Sequence, residues 1–139
     1  TVLVMVGKGD LKGSIVNYAK DLGISEKIIF TGIRKDVPDC LMSMDVMVFP
    51  SFFEGMPNAV IEAQTTGLPC LVSDTVTKEC GVTDIVEFLS LKQSPKVWAE
   101  KALQMVKCQV DRKMYAEKMR LAGYDITDVV DEFLRYMFP

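Results

Sequence analysis

The sequence predicts an α/β fold with an open parallel sheet and C-terminal helices, and three observations carry that prediction. Short β-branched runs alternate with segments of helical period through the first half of the chain, the pattern of βα units. From Ser94 onward the chain reads as helix after helix. At 139 residues, 49% of them hydrophobic, the chain has room for one core at about 150 residues per domain. We therefore expect a single domain over residues 1–139, and expect it to be a piece of something longer, because Thr1 rather than Met opens directly onto a strand-like run.

That run is Val2 to Val6, followed by Gly7-Lys8-Gly9 and a helix. Asp10 is its expected N-cap; Leu11, Ile15, Tyr18, Ala19 and Leu22 share a face, and Gly23 stands where a left-handed C-terminal residue is wanted. The second strand, Ile28-Ile29-Phe30, ends at Thr31-Gly32, and a polar turn Arg34-Lys35-Asp36 leads to a short helix from Val37 to Met44. Asp36 would cap that helix and Pro38 fits its first turn. Asp45 opens a third strand, Val46 to Phe49. The loop Pro50 to Gly55 then enters a helix from about Pro57 to Thr66, closed by Gly67 and followed by the strand Cys70-Leu71-Val72. Beyond the polar loop Thr75 to Glu79, Val86 to Leu89 reads as a weak, edge-type strand. Three helices complete the chain: one from Ser94-Pro95 with Val97, Trp98, Ala102, Met105 and Val106 as its apolar positions, one over about Asp111 to Leu121 ending at Gly123, and one over about Ile126 to Met137. The nine methionines and Trp98 fall at core periodicity, so packing accounts for them.

Composition narrows the chemistry. With 16 basic and 19 acidic residues and no basic block, the chain lacks the footprint needed for a phosphate backbone, and nucleic acid is not an expected partner. No run approaches the roughly 18 apolar residues of a membrane span, and no basic segment leads into an apolar one at the N-terminus. The absence of histidine excludes Ser-His-Asp or Cys-His catalysis built from this segment and removes the commonest transition-metal ligand. Cys40, Cys70, Cys80 and Cys108 form no C-x-x-C pair and read as buried or half-buried thiols.

The informative stretch runs from Pro50 to Ala63, PSFFEGMPNAVIEA. It leaves a strand, crosses a loop and enters a helix near Pro57, so the first-turn amides face the carboxyl edge of the sheet, where ligands of open α/β sheets bind. Gly55 carries no Cβ to block a ligand, and Pro57 presets the first helical residue. A phosphate oxygen could then reach the amides of Met56, Asn58 and Ala59. Glu54 and Glu62 bracket this cradle, and carboxylates repel phosphate. They suit vicinal sugar hydroxyls instead, since one carboxylate accepts two hydrogen bonds. Glu62 lies roughly 7 Å along the helix from Pro57, about the offset from a phosphate to its ribose. By position alone Glu62 could also be a solvated helix residue, and Glu54 could merely complement the helix N-terminus. Gly7-Lys8-Gly9 is a lone G-x-G that a tight turn explains equally well.

The pattern Glu54-Gly55 through Glu62-Ala63, with Gly67-x-Pro69 after it, resembles the E-x7-E signature of family 4 (group 1) retaining glycosyltransferases of GT-B architecture. Val6 to Asp10, Phe30-Thr31-Gly32, Asp45 to Ser51 and the Tyr124 to Phe138 helix also resemble the donor-binding half of those enzymes. The resemblance implies a Rossmann-like sheet forming one half of a GT-B fold, with its first βα unit and the acceptor-binding N-terminal domain outside this chain. It further implies that Glu62 binds ribose hydroxyls and that Glu54, the catalytic candidate, contacts the transferred sugar. Gly55, Met56, Pro57 and Asn58 would hold the diphosphate, and Ile33 and Arg34 would lie where the nucleobase packs, although Arg34-Lys35 also reads as a solvated turn.

The expected partners are thus a UDP- or GDP-type sugar and an acceptor sugar or lipid-linked glycan. No metal or other cofactor is expected, and the enzyme would be cytoplasmic, at the inner face of the plasma membrane, in polysaccharide or glycolipid assembly. The chain by itself would not catalyse transfer. Two departures stand out: Thr75-Val76-Thr77-Lys78-Glu79 replaces the family's glycines after the fourth strand, and the basic pair on the donor phosphates would fall before Thr1. A sugar-nucleotide 2-epimerase or phosphorylase of the same architecture, and a non-catalytic nucleotide-binding module, are the alternative readings.

Overall fold

A run of β-branched residues favours strand, and a parallel strand pair needs a crossover of a dozen or more residues, which α-helices supply for two of the three pairs and a loop with one short 3-10 turn for the third. The structure, a computed structural model, describes residues 1–107 and 110–138, so Cys108 lies outside the described residues. It divides into two compact units, Thr1–Val37 and Pro38–Pro139.

The first unit is a βαβ element. β1 (Leu3–Val6) and β2 (Ile28–Gly32) pair in parallel, Leu3 opposite Ile28 and Met5 opposite Phe30, and α1 (Lys12–Asp21) forms the crossover. Asp10 does not cap α1: Leu11 holds the cap position without a side-chain bond, and the Lys12 amide donates to the Gly9 carbonyl at 3.2 Å, so a backbone turn replaces the expected carboxylate. The C-terminal end is as expected. Gly23 adopts φ +66°, its amide donates to Lys20 O at 2.9 Å, and that of Ile24 reaches Ala19 O at 3.0 Å, a Schellman closure. On the expected apolar face Ala19 is buried and Ile15 half-buried, whereas Leu11, Tyr18 and Leu22 are exposed.

The second unit holds a three-stranded parallel sheet in the order β3 (Met47–Phe49), β4 (Cys70–Ser73), β5 (Val86–Leu89). Every residue of the central strand β4 is buried, which accounts for its run of small and aliphatic side chains, and β5 takes the edge. The single continuous sheet expected from the sequence is therefore two sheets among the described residues, because β1 pairs with β2 and β3 with β4, and no ladder joins the pairs. The α/β class with parallel strands stands.

Helices α2 (Val37–Met42) and α3 (Asn58–Thr65) flank β3, and α4 (Pro95–Lys107), α5 (Lys113–Met119) and α6 (Ile126–Met137) follow the sheet. α4 packs Trp98, Ala102 and Met105 on Leu71, with Val46, Leu89 and Leu91 around them. α5 buries Tyr115 and Met119. Asp125 caps α6, accepting from the Thr127 amide at 2.8 Å, but no residue of that helix is buried. The methionines divide: Met105 and Met119 are core, while Met42, Met56, Met114 and Met137 are exposed, because their helix and loop positions turn to solvent. Among the described residues no helix is long and apolar enough to cross a membrane.

Candidate functional site

The segment singled out by sequence lies wholly in the second unit, on the loop between β3 and α3 and on α3 itself. Val60, Ala63 and Gln64 are fully buried at helical spacing, and Pro57 is buried at the start, so this apolar stripe fixes which way α3 rolls. Asn58, Ala59 and Glu62 then share the opposite, exposed side, at spacings of three and four. Pro57 is not the first helical residue. With φ −76° and ψ 101° it holds the cap, and its carbonyl accepts from the amides of Val60 at 2.9 Å and Ile61 at 3.3 Å. The amides ahead of that ladder are those of Asn58 and Ala59, for which the helix itself supplies no acceptor.

Two further observations bear on the cradle. A Cβ at Gly55 would meet nothing of the protein within 4 Å, and its φ lies outside the left-handed range, so the chain's own packing does not demand glycine there. The Glu62 carboxylate has no hydrogen bond or ion pair among the described residues. Glu54 is half-buried, and its Oε1 accepts from the Ser51 hydroxyl at 3.2 Å. The loop is anchored to the end of β4, where the hydroxyls of Ser73 and, at 2.9 Å, Thr75 both donate to the Ser51 carbonyl. Thus Glu54, Gly55, Met56, Pro57, Asn58 and Glu62 occupy one loop and one helix above the carboxyl end of the β3–β4 pair.

Ile33 and Arg34 lie in the first unit, just past the carboxyl end of β2. Ile33 is 68% exposed, as are many other large apolar side chains of this chain. Arg34 donates through Nε to Asp36 at 2.8 Å and forms an ion pair with the same carboxylate, which lowers the Asp36 pKa, that hydrogen bond being the largest cause. The loop after β4 is not a glycine cradle: Thr77 caps a short turn, Lys78–Cys80, by accepting from the Glu79 amide at 3.4 Å. The described cysteines are free thiols. Cys70 and Cys80 are buried and Cys40 is half-buried; burial first, and then the neighbouring Cys80, pushes the Cys70 thiol up to about 12, far from a nucleophile's range.

Sequence reasoning passed over Gln64. Its amide is fully buried and donates to Val60 O at 3.1 Å and Cys80 O at 2.7 Å, while its carbonyl accepts from the Thr83 amide and hydroxyl, each at 2.9 Å. The available signal was a polar residue in register with Val60 and Ala63 on the buried stripe. A concavity of about 450 Å³ lined by Pro69, Ile85, Met105 and Tyr115 lies instead at the amino ends of β4 and β5, away from this loop.

The model of the family described as Glycosyl transferases group 1 matches residues 1–108. The chain belongs to the group 1 glycosyltransferases. A putative glycosyltransferase of Bacillus subtilis, EpsF, is 32% identical over 95% of the chain and 35% of its own length. The UDP-Gal:alpha-D-GlcNAc-diphosphoundecaprenol alpha-1,3-galactosyltransferase of Escherichia coli is 43% identical over 58% of the chain and 21% of its own length. The chain thus spans about a third or less of these relatives. Among solved structures, Anabaena HepE in complex with UDP matches with a TM-score of 0.74 at 14% identity over 98% of the chain and 40% of that protein. The lipopolysaccharide outer core galactosyltransferase WaaB, in its apo form, matches with a TM-score of 0.72 at 20% identity over 90% of the chain and 37% of its own. At those identities the likeness is one of fold, and the fold is part of a GT-B glycosyltransferase, as the sequence resemblance implied.

Proposed function

We propose that the whole protein transfers a sugar from a UDP- or GDP-type sugar nucleotide to an acceptor sugar or lipid-linked glycan, with retention of anomeric configuration. The observation that carries this reading is the exposed start of α3: two first-turn amides suited to a diphosphate, and four residues after the first of them a carboxylate with no partner among the described residues. In it, Glu62 accepts the ribose hydroxyls and the Gly55-Met56-Pro57-Asn58 backbone holds the diphosphate. Glu54 meets the transferred sugar, and Ile33 and Arg34 serve the nucleobase. Family membership supports a transferase, and the activity of the Escherichia coli relative supports a UDP-sugar and an undecaprenol-linked acceptor as the kind of substrates involved.

The chemistry asks little covalent work of the protein. The donor is positioned, and the leaving diphosphate gains negative charge as the glycosidic bond breaks. Fixed N–H dipoles at a helix start stabilise that charge without reorganising. The reading requires no metal, since backbone dipoles and cations elsewhere in the protein carry that role. It places the enzyme in the cytoplasm, working at the inner face of the plasma membrane on polysaccharide or glycolipid. Calorimetry of the whole protein with UDP and GDP tests the ribose assignment. Glu62→Ala should weaken the preferred nucleotide about tenfold or more, the worth of a charge-assisted hydrogen bond; unchanged affinity would refute it.

A further inference from the structure

Ser51 stands in a chain of hydroxyl hydrogen bonds for which donor binding through α3 has no use. Its carbonyl is held twice, by Ser73 Oγ and, at 2.9 Å, by Thr75 Oγ1, and Thr75 Oγ1 also lies 3.2 Å from Ser73 Oγ. Ser73 is fully buried at the end of the central strand, so the anchor belongs to the most rigid part of the unit. The hydroxyl of Ser51 faces two acceptors, Phe53 O at 3.3 Å and Glu54 Oε1 at 3.2 Å. A serine hydroxyl carries one proton, and a carboxylate is a stronger acceptor than a peptide carbonyl, so the bond to Glu54 takes the larger share.

We propose that Ser51 is a positioning residue for Glu54. Its hydroxyl occupies Oε1 and fixes the plane of the carboxylate, which leaves Oε2 to accept from a substrate hydroxyl. Ser73 and Thr75 fix Ser51 in turn, so the orientation of the acid is set from β4 across the carboxyl edge of the sheet. This gives a role to Thr75, whose hydroxyl reaches the Ser51 carbonyl from the loop after β4. A loop free to rotate would spread the carboxylate over several rotamers, and an oxygen misplaced by about 1 Å can cost a hundredfold in rate. The inference rests on the reading that Glu54 contacts the transferred sugar.

The experiment uses the whole protein, with UDP-glucose, UDP-galactose and GDP-mannose as donors, an undecaprenol-linked saccharide as acceptor, nucleoside diphosphate release as the rate, and calorimetric affinity for UDP and GDP as the second readout. Ser51→Ala should lower kcat about ten- to a hundredfold, the range of a hydrogen bond to a charged group. It should leave nucleotide affinity within about twofold, as befits a residue remote from the nucleotide's ribose. Ser51→Thr, which keeps the hydroxyl, should recover most of the rate. The double variant Ser51→Ala, Glu54→Ala should be no slower than Glu54→Ala alone, because a residue acting through another is not additive with it. Parental kcat in Ser51→Ala, equal loss of kcat and nucleotide affinity, or additive losses in the double variant would each overturn the positioning role. Glu54→Ala as fast as the parent, or no release from any donor, would instead overturn the donor reading beneath it.

Discussion

Gln64 buries a neutral amide with each of its polar atoms engaged, between the helix that carries Glu62 and the turn that precedes β5. Replacing it with leucine keeps much of the volume but strands the Cys80 carbonyl and the Thr83 amide away from water. Gln64→Leu should therefore lower the free energy of unfolding by about 2 to 4 kcal/mol, measured by urea denaturation; a loss below about 0.5 kcal/mol would show that water replaces the amide's partners. The loop and helix that carry the two glutamates were legible because their signals are local: an acid, a glycine, a proline and a helix start within a dozen residues. Gln64, Ser51, Ser73 and Thr75 were not, because each acts on a residue distant in sequence, and a hydroxyl in a loop gives no sign of which carbonyl it will meet. Asp10 misled for the reverse reason, since an acid ahead of a helix is a sound cap signal, yet here the Gly9 carbonyl satisfies the Lys12 amide first.

Between elements, the orientation of α3 depends on one close approach. Gly67 has φ +68°, and a Cβ on it would lie 2.6 Å from the Cα of Arg112, at the start of α5. Arg112 in turn donates to Met42 O at 2.9 Å and Met44 O at 2.5 Å, tying the start of α5 to the end of α2. Gly67→Ala must both strain the backbone and push α5 away from α3. We expect it to cost more than about 2 kcal/mol of stability in urea denaturation, with weakened nucleotide binding as α3 shifts; a stability equal to the parent would mean that α5 moves freely. The sequence showed a glycine closing the helix, and periodicity can show that much. It could not show the partner on α5, because close approach is a property of two elements. The order of strands was hidden similarly: runs of β-branched residues mark where strands are, whereas the separation into β1–β2 and β3–β4–β5 follows from which edges pair.

Over the whole molecule, 139 residues carry a family match across 1–108 and span about a third of their relatives, so the site proposed on α3 would be the share of a donor site that one piece of such an enzyme contributes. The charges fit the proposed role: helix-start dipoles suit an anion, and two acids, one held by Ser51 and one with no partner among the described residues, suit hydroxyls. The most direct test is a crystal structure of the whole protein with an intact UDP- or GDP-sugar. The account predicts diphosphate oxygens within hydrogen-bond distance of the Asn58 and Ala59 amides, Glu62 on the ribose and Glu54 on the sugar. A donor bound away from the start of α3, with both carboxylates facing solvent, would contradict it.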